Sequence, residues 1–186
     1  MLTKEIFPDE EKSYSTSTNE KGIINSVSDE FVELSGYSKQ ELLGKDHNIV
    51  RHPDMPKIIY KQLWTALENG EEFVGFIFNY AKDGGYYWLA NKIYLFSRNK
   101  DGGCKYFSYK LPMSARARHH MAALYAKLLE EEKKGGIEAS EKYLKEYLDF
   151  RGVTFDEYMK TFLDSGGLLK TCFFMARKLF GGSSKK

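Results

Sequence analysis

The hydrophobic positions of this chain follow two periods, and the switches between them mark its elements. Residues 13–18 are hydroxyl-rich around Tyr14, Asn19-Glu20-Lys21-Gly22 reads as a turn, and 23–27 resume an extended pattern. That predicts a hairpin of two short strands. Phe31, Val32 and Leu34 then fall at helical spacing, with Ser28 or Asp29 to cap the helix and Gly36 to stop it. A second short helix is predicted from Ser38, where Glu41 stands three residues on as a capping-box partner, to Gly44. The clearest helix of this half covers about 56–69, with Ile58, Ile59, Leu63, Ala66 and Leu67 in step and Gly70 as terminator.

Beyond Gly70 the period changes to two. Residues 73–80 and 86–96 are aromatic-rich runs joined by Lys82-Asp83-Gly84-Gly85, a strong hairpin signal, and a turn at 99–103 leads to a last strand at about 105–113. Five antiparallel strands, with the helices inserted between the second and third, make a compact α+β domain. After Ala115 the helical period returns. Met121, Leu124, Tyr125, Leu128 and Leu129 share a face over 117–134, Gly135-Gly136 breaks the run, and shorter helices are predicted near 138–150, 154–164 and 168–180.

One stretch fits neither period. Residues 47–55, His47-Asn48-Ile49-Val50-Arg51-His52-Pro53-Asp54-Met55, concentrate two imidazoles, a guanidinium, a carboxylate and an amide. Pro53 and Pro56 separate it from the helix that follows. Such a loop is a poor core element and a good ligand-contacting one. The plainer reading is a helix entry, with Asp54 as cap and Pro56 in the first turn.

Composition narrows the choices. In 186 residues there are 13 Tyr and 13 Phe, and aromatics reach 15 %, a surplus that an aromatic-lined pocket would absorb. The net charge of +2 argues neither for nor against nucleic acid. Cys104 and Cys172 stand apart without a CxxC pair or Cys/His cluster, which points to reduced thiols in a cytoplasmic protein. Met1 leads into acids and serines rather than an apolar run, so no signal peptide is expected, and no apolar run approaches the roughly 18–20 residues that span a bilayer. No Ser/His/Asp or Cys/His arrangement is legible, and His119-His120 point to different helix faces.

The segment Phe31-Val32-Glu33-Leu34-Ser35-Gly36-Tyr37-Ser38, with Glu41-Leu42-Leu43-Gly44, resembles the general PAS signature. Adding residues 47–56, Trp64, Asn79 and Tyr87-Trp88 makes it similar to the flavin-binding PAS domains of Aer-type energy- and redox-taxis receptors. The resemblance covers about 13–118 and implies a PAS fold: a five-stranded antiparallel sheet with helices on one face. Residues 1–12 then form a loosely ordered N-terminal segment and 119–186 a helical C-terminal extension. Aer-type receptors carry a membrane anchor and a coiled coil on the same chain. This sequence shows neither, so it is closer in organisation to the separate CetB-like cytoplasmic sensors of two-protein energy-taxis systems. At Ser28 many PAS domains have Asn; Ser caps a helix as well but offers one donor where an amide offers two. No Cys lies between residues 28 and 70, so the adduct chemistry of light-sensing relatives is not expected.

The resemblance implies FAD, with FMN or haem as alternatives, and a non-enzymatic redox sensor. The competing functions are a haem or small-ligand sensor using His52 or another His as axial ligand, a flavin-dependent reductase, and a cofactor-free dimerisation module. The implied cofactor contacts are Arg51, His52, Asp54, Trp64, Asn79 and Trp88. Arg51 would hold phosphate through its planar fork, or else pair with Asp54 at the surface. His52 would bond the cofactor or order its loop. Trp64 and Trp88 would wall a ring, or pack in the core. Asn79, set among apolar residues, needs partners that a pyrimidine edge can supply. The implied partner is a membrane-bound, methyl-accepting chemotaxis-type receptor; no nucleic acid is expected, and a homodimer is admitted.

The extension adds one pattern of its own. Leu168, Leu169, Cys172, Phe173, Ala176, Leu179 and Phe180 share a helical face, Lys170, Arg177 and Lys178 lie opposite, and Phe174 is the one apolar residue on the polar side. From Ser165 onward five basic residues meet no acidic one. This basic amphipathic stretch fits a partner helix, a peripheral membrane contact through 167–180, or packing on its own domain.

Overall fold

In the computed structural model, which describes residues 4–163 together with Phe173 and Met175, five strands form one antiparallel sheet. They are β1 (Tyr14–Asn19), β2 (Ile24–Val27), β3 (Phe73–Tyr80), β4 (Tyr86–Arg98) and β5 (Cys104–Pro112), in the order β2-β1-β5-β4-β3. Helices α1 (Asp29–Ser35), α2 (Lys39–Leu42) and α3 (Lys57–Glu68), with a 3-10 turn at His47–Val50, connect β2 to β3. α4 (Ala115–Asp149) and α5 (Phe155–Thr161) follow the last strand.

Local chemistry places these boundaries. Ser28 caps α1 by accepting from the Phe31 N–H, and Gly36 ends it in the left-handed region at φ 70°. Ser38 and Glu41 form a reciprocal capping box on α2. α3 has Pro56 at its N-cap and no side-chain cap of its own. Glu132 of α4 supplies one instead, accepting from the Ile58 N–H at 3.0 Å. The break expected in α4 is present: Gly135 and Gly136 leave helical geometry, the latter at φ 72°.

Strand register decides which residues share a face. Asn79 pairs with Tyr87, Ile77 with Leu89, and Gly75 with Asn91; Asn91 in turn pairs with Lys110, and Ser108 with Thr16. These positions look toward α3 and the 3-10 turn. The alternate positions, Phe76, Phe78, Trp88 and Tyr109, look the other way, where α4 and α5 cover them. Tyr125 of α4 packs on Trp88 with centroids 5.7 Å apart and donates from its hydroxyl to the Phe76 carbonyl at 2.6 Å. At the β3 edge, the Phe73 ring swings across Gly75 and stacks on Phe155 of α5 at 5.9 Å. A β-carbon at Gly75 would collide with that ring.

Two sequence expectations are corrected here. Residues 4–12 are not loosely held: the Ile6 N–H donates to the Tyr86 carbonyl, the Tyr86 N–H to Lys4, and Arg118 pairs with Glu5 at 2.9 Å. Nor does a boundary at 118 separate two units. It falls inside α4, whose next turns bury Met121 and Tyr125 in the core beneath the sheet. The helices therefore occupy both faces, those of the β2–β3 connection on one and the extension on the other. The helix expected over 168–180 lies outside the described residues, except that Phe173 is buried with its ring 6.3 Å from Tyr109 and Met175 is exposed.

Candidate functional site

Between the inner sheet face and α3 lies a cavity of about 300 Å³, at the lower end of the range that small-ligand pockets occupy. Leu63, Trp64 and Leu67 of α3 form one wall, with Ile77, Ile93 and Tyr106 of the sheet facing them. Trp64 meets Tyr106 edge to face at 6.2 Å. The floor is polar: Thr16, Asn79, Asn91, Ser108 and Lys110 all point in from strands. At the rim stand Lys21, Asp46, Asn48, Arg51 and Tyr60, the first three exposed.

The floor is polar but incompletely satisfied. Asn79 is 3 % exposed, and its side chain makes no hydrogen bond to a described residue. Ser108 has a buried hydroxyl without a partner. Asn91 spends its amide N–H on the Leu89 carbonyl at 2.8 Å, leaving its oxygen toward the cavity. Leaving a buried polar atom unpaired costs on the order of 1–3 kcal/mol, a cost that a ligand with donors and acceptors along an edge would relieve.

Lys110 is 2 % exposed and has no carboxylate partner among the described residues. Its ammonium donates to Thr16 Oγ1 at 2.6 Å and lies 5.3 Å from the Phe31 ring centroid. Burial holds it well below the usual lysine value. His47 Nε2 sits 3.3 Å from the same Thr16 oxygen, and burial, with the Lys110 charge adding to it, pushes the imidazole down to about 3. At the rim the Arg51 guanidinium stacks 4.0 Å over the Tyr60 ring, whose hydroxyl burial pushes up to about 12. Arg51 makes no ion pair with Asp54 among the described residues. Its backbone bridges that of Asn79, so two of the sequence-predicted positions are tied together directly.

Arg51, Trp64 and Asn79 thus meet at one cavity; His52, Asp54 and Trp88 do not. The reason is alternation. Once Arg51 bridges β3 and turns inward, His52 must turn outward, where its ring lies 4.6 Å from Phe78 and 4.1 Å from Tyr80. His52 Nδ1 accepts from the Asp54 N–H at 3.1 Å, which leaves the ring to order its loop, and burial lowers its basicity. Asp54 is exposed on the far side. Trp88 is the outward neighbour of Tyr87, stacked on Phe78 at 4.5 Å. His52, suggested as an axial haem ligand, lies outside the cavity.

Sequence reading missed Lys110, Ser108, Asn91 and Thr16. A signal was present in β5, where Tyr106, Ser108 and Lys110 alternate with Phe107, Tyr109 and Leu111. A lysine on the face opposite a run of aromatics reads as solvent-facing until helices are known to cover both sides.

Residues 24–108 match the family model described as the PAS fold, and the five-stranded antiparallel sheet with its helices is that fold. A light-oxygen-voltage domain solved in a study of a flavin analogue superposes with a TM-score of 0.53 at 22 % identity, over 60 % of this chain and 85 % of that one. The chain is also similar to the aerotaxis receptor of Escherichia coli (strain K12), 40 % identical over 89 residues, or 47 % of this chain and 18 % of the receptor. Phototropin-2 of Oryza sativa subsp. japonica is 31 % identical over 62 residues, covering 33 % of this chain and 7 % of that protein. The chain therefore spans less than a fifth of the length of either relative.

Proposed function

We propose that this PAS domain holds a flavin, FAD, in the cavity beneath α3 and works as a non-enzymatic redox sensor. The observation that carries the reading is the polar floor itself: the buried, unpartnered Ser108 hydroxyl beside the Asn79 and Asn91 amides, in a cavity otherwise walled by Trp64, Leu63, Ile77 and Ile93. A flat ring with an apolar body and one edge of donors and acceptors matches that arrangement. Asn79 and Asn91 would orient the edge, and Trp64 would cover the body. Arg51 and Lys21 stand at the rim, where phosphates keep part of their hydration and gain charge-assisted bonds. That placement favours a pyrophosphate, hence FAD over FMN. A bound flavin supplies reversible two-electron reduction.

Likeness to the aerotaxis receptor supports a role in energy taxis, with a membrane-bound chemotaxis-type receptor as partner and the sensor on its cytoplasmic side. No helix among the described residues is long and apolar enough to cross a membrane. The test is to express the full chain with flavin supplied, release the chromophore by heat and identify it. FAD in near-stoichiometric amount is the expected result. A colourless protein, or one with a haem spectrum, would overturn the proposal.

A further inference from the structure

A lysine inside a cavity needs a counter-charge, and the described residues offer Lys110 none. Its neighbours are a hydroxyl, a phenyl ring and the imidazole of His47, which is itself held neutral. From β1, Tyr14 pairs with Lys110 in the sheet, and from β4, Asn91. The charged groups of the cavity, Lys21, Asp46 and Arg51, stand at its rim. The site around Lys110 is thus short of negative charge, and it lies on the floor, where the ring of a flavin belongs rather than its phosphates.

Resting on the flavin reading above, we propose that Lys110 is the counter-ion for the negative charge that reduction places on the bound ring. Two electrons and a single proton, given up by a reduced nicotinamide as hydride or by a quinol whose second proton passes to solvent, leave the ring with one net negative charge and the reductant oxidised. Facing an anion, the Lys110 ammonium recovers the interaction that its burial denies it. Thr16 fixes the ammonium through the 2.6 Å bond, and the unpartnered Ser108 hydroxyl adds a second donor one position along β5 on the same face. Lys110 thereby favours the reduced state and keeps it anionic.

The experiment compares flavin-loaded full-length wild type, Lys110→Met and Lys110→Arg in reductive titrations followed by absorption across a range of pH. Lys110→Met is expected to lower the ratio of reduced to oxidised protein at fixed potential at least tenfold, about 30 mV for a two-electron couple. It should also raise, by at least one unit, the pH at which the reduced ring takes its second proton. Lys110→Arg, which keeps the charge, should stay near wild type on both readouts. Lys110→Met matching wild type, or both variants shifting or losing flavin alike, would overturn the inference while leaving the flavin reading in place. Wild type without flavin would overturn both.

Discussion

The two faces of this sheet are built from the same strands yet obey different rules. Outside, Phe78, Trp88 and Tyr125 pack ring on ring, Tyr109 meets Phe173, and the Tyr125 hydroxyl finds the Phe76 carbonyl. Inside, Asn79, Ser108 and Lys110 stand around a space, the Ser108 hydroxyl without a partner and Lys110 bonded to Thr16 but facing no carboxylate among the described residues. Tyr87 and Trp88, Ser108 and Tyr109, Arg51 and His52 are neighbours in sequence and belong to opposite rules. The outer face stabilises the fold; the inner face gives up some of that stability around a cavity.

That contrast breaks most visibly at Trp88. Trp88→Ala removes a stacked, buried indole and is expected to cost about 3–5 kcal/mol, measured by urea unfolding. A loss under 1 kcal/mol would mean that the outer face is not the structural one. Second in size is a pH effect on the inner face. His47 stays neutral in the folded protein down to about pH 3 but protonates near 6.5 when unfolded. The unfolded chain therefore binds more protons between these values, so stability is full above pH 6.5 and lost as pH falls toward 3. Between pH 7 and pH 5 the loss from His47 is about 2 kcal/mol. His47→Gln should lose correspondingly less over the same interval; equal losses would count against the assignment.

The third effect separates binding from folding. Arg51→Ala and Asn79→Ala should each weaken flavin retention at least tenfold, read as flavin per protein after gel filtration, while unfolding free energies change by no more than about 1 kcal/mol. Normal occupancy in both variants would remove the site assignment. The smallest effect belongs to the surface. Lys61 and Glu141 link α3 to α4 at 2.6 Å, with 45 % and 42 % of their side chains open to solvent. Glu141→Gln should shift stability by less than about 1 kcal/mol, and a larger change would mean that the pair is more than a solvated contact.

Elements were legible in the sequence where local chemistry sets them. The caps at Ser28 and Ser38, the glycine stops and the Asp83-Gly84 hairpin act within a few residues, and the structure follows them. Part of the site was legible for the same reason: residues 47–55 are too polar for core, and Asn79 too polar for its strand. Direction was not legible. A strand's period of two says that Tyr87 and Trp88 part company but not which goes inward, and the aromatic content fits either face. Only pairing across β3, β4 and β5 decides, and pairing is non-local. Lys110 escaped notice because its burial depends on β1, α1 and the 3-10 turn, all far away in sequence. The N-terminal segment escaped because its hold on Tyr86 runs through backbone groups, which carry no sequence signature.

The Glu132 cap has a mechanical meaning. α3 forms one wall of the cavity, and its first turn is held by a carboxylate on a different helix, three residues before the Gly135-Gly136 break. An anion at a helix N-terminus bonds its amides and complements its dipole at once, so the joint is strong in one geometry and lost in others. Any tilt of α3 that accommodates a ligand must either drag the first half of α4 along or release it. The glycine pair then acts as the elbow at which that first half turns without carrying the remainder. A displacement of α3 inside the domain would become, at that elbow, a change of angle between the two halves of α4.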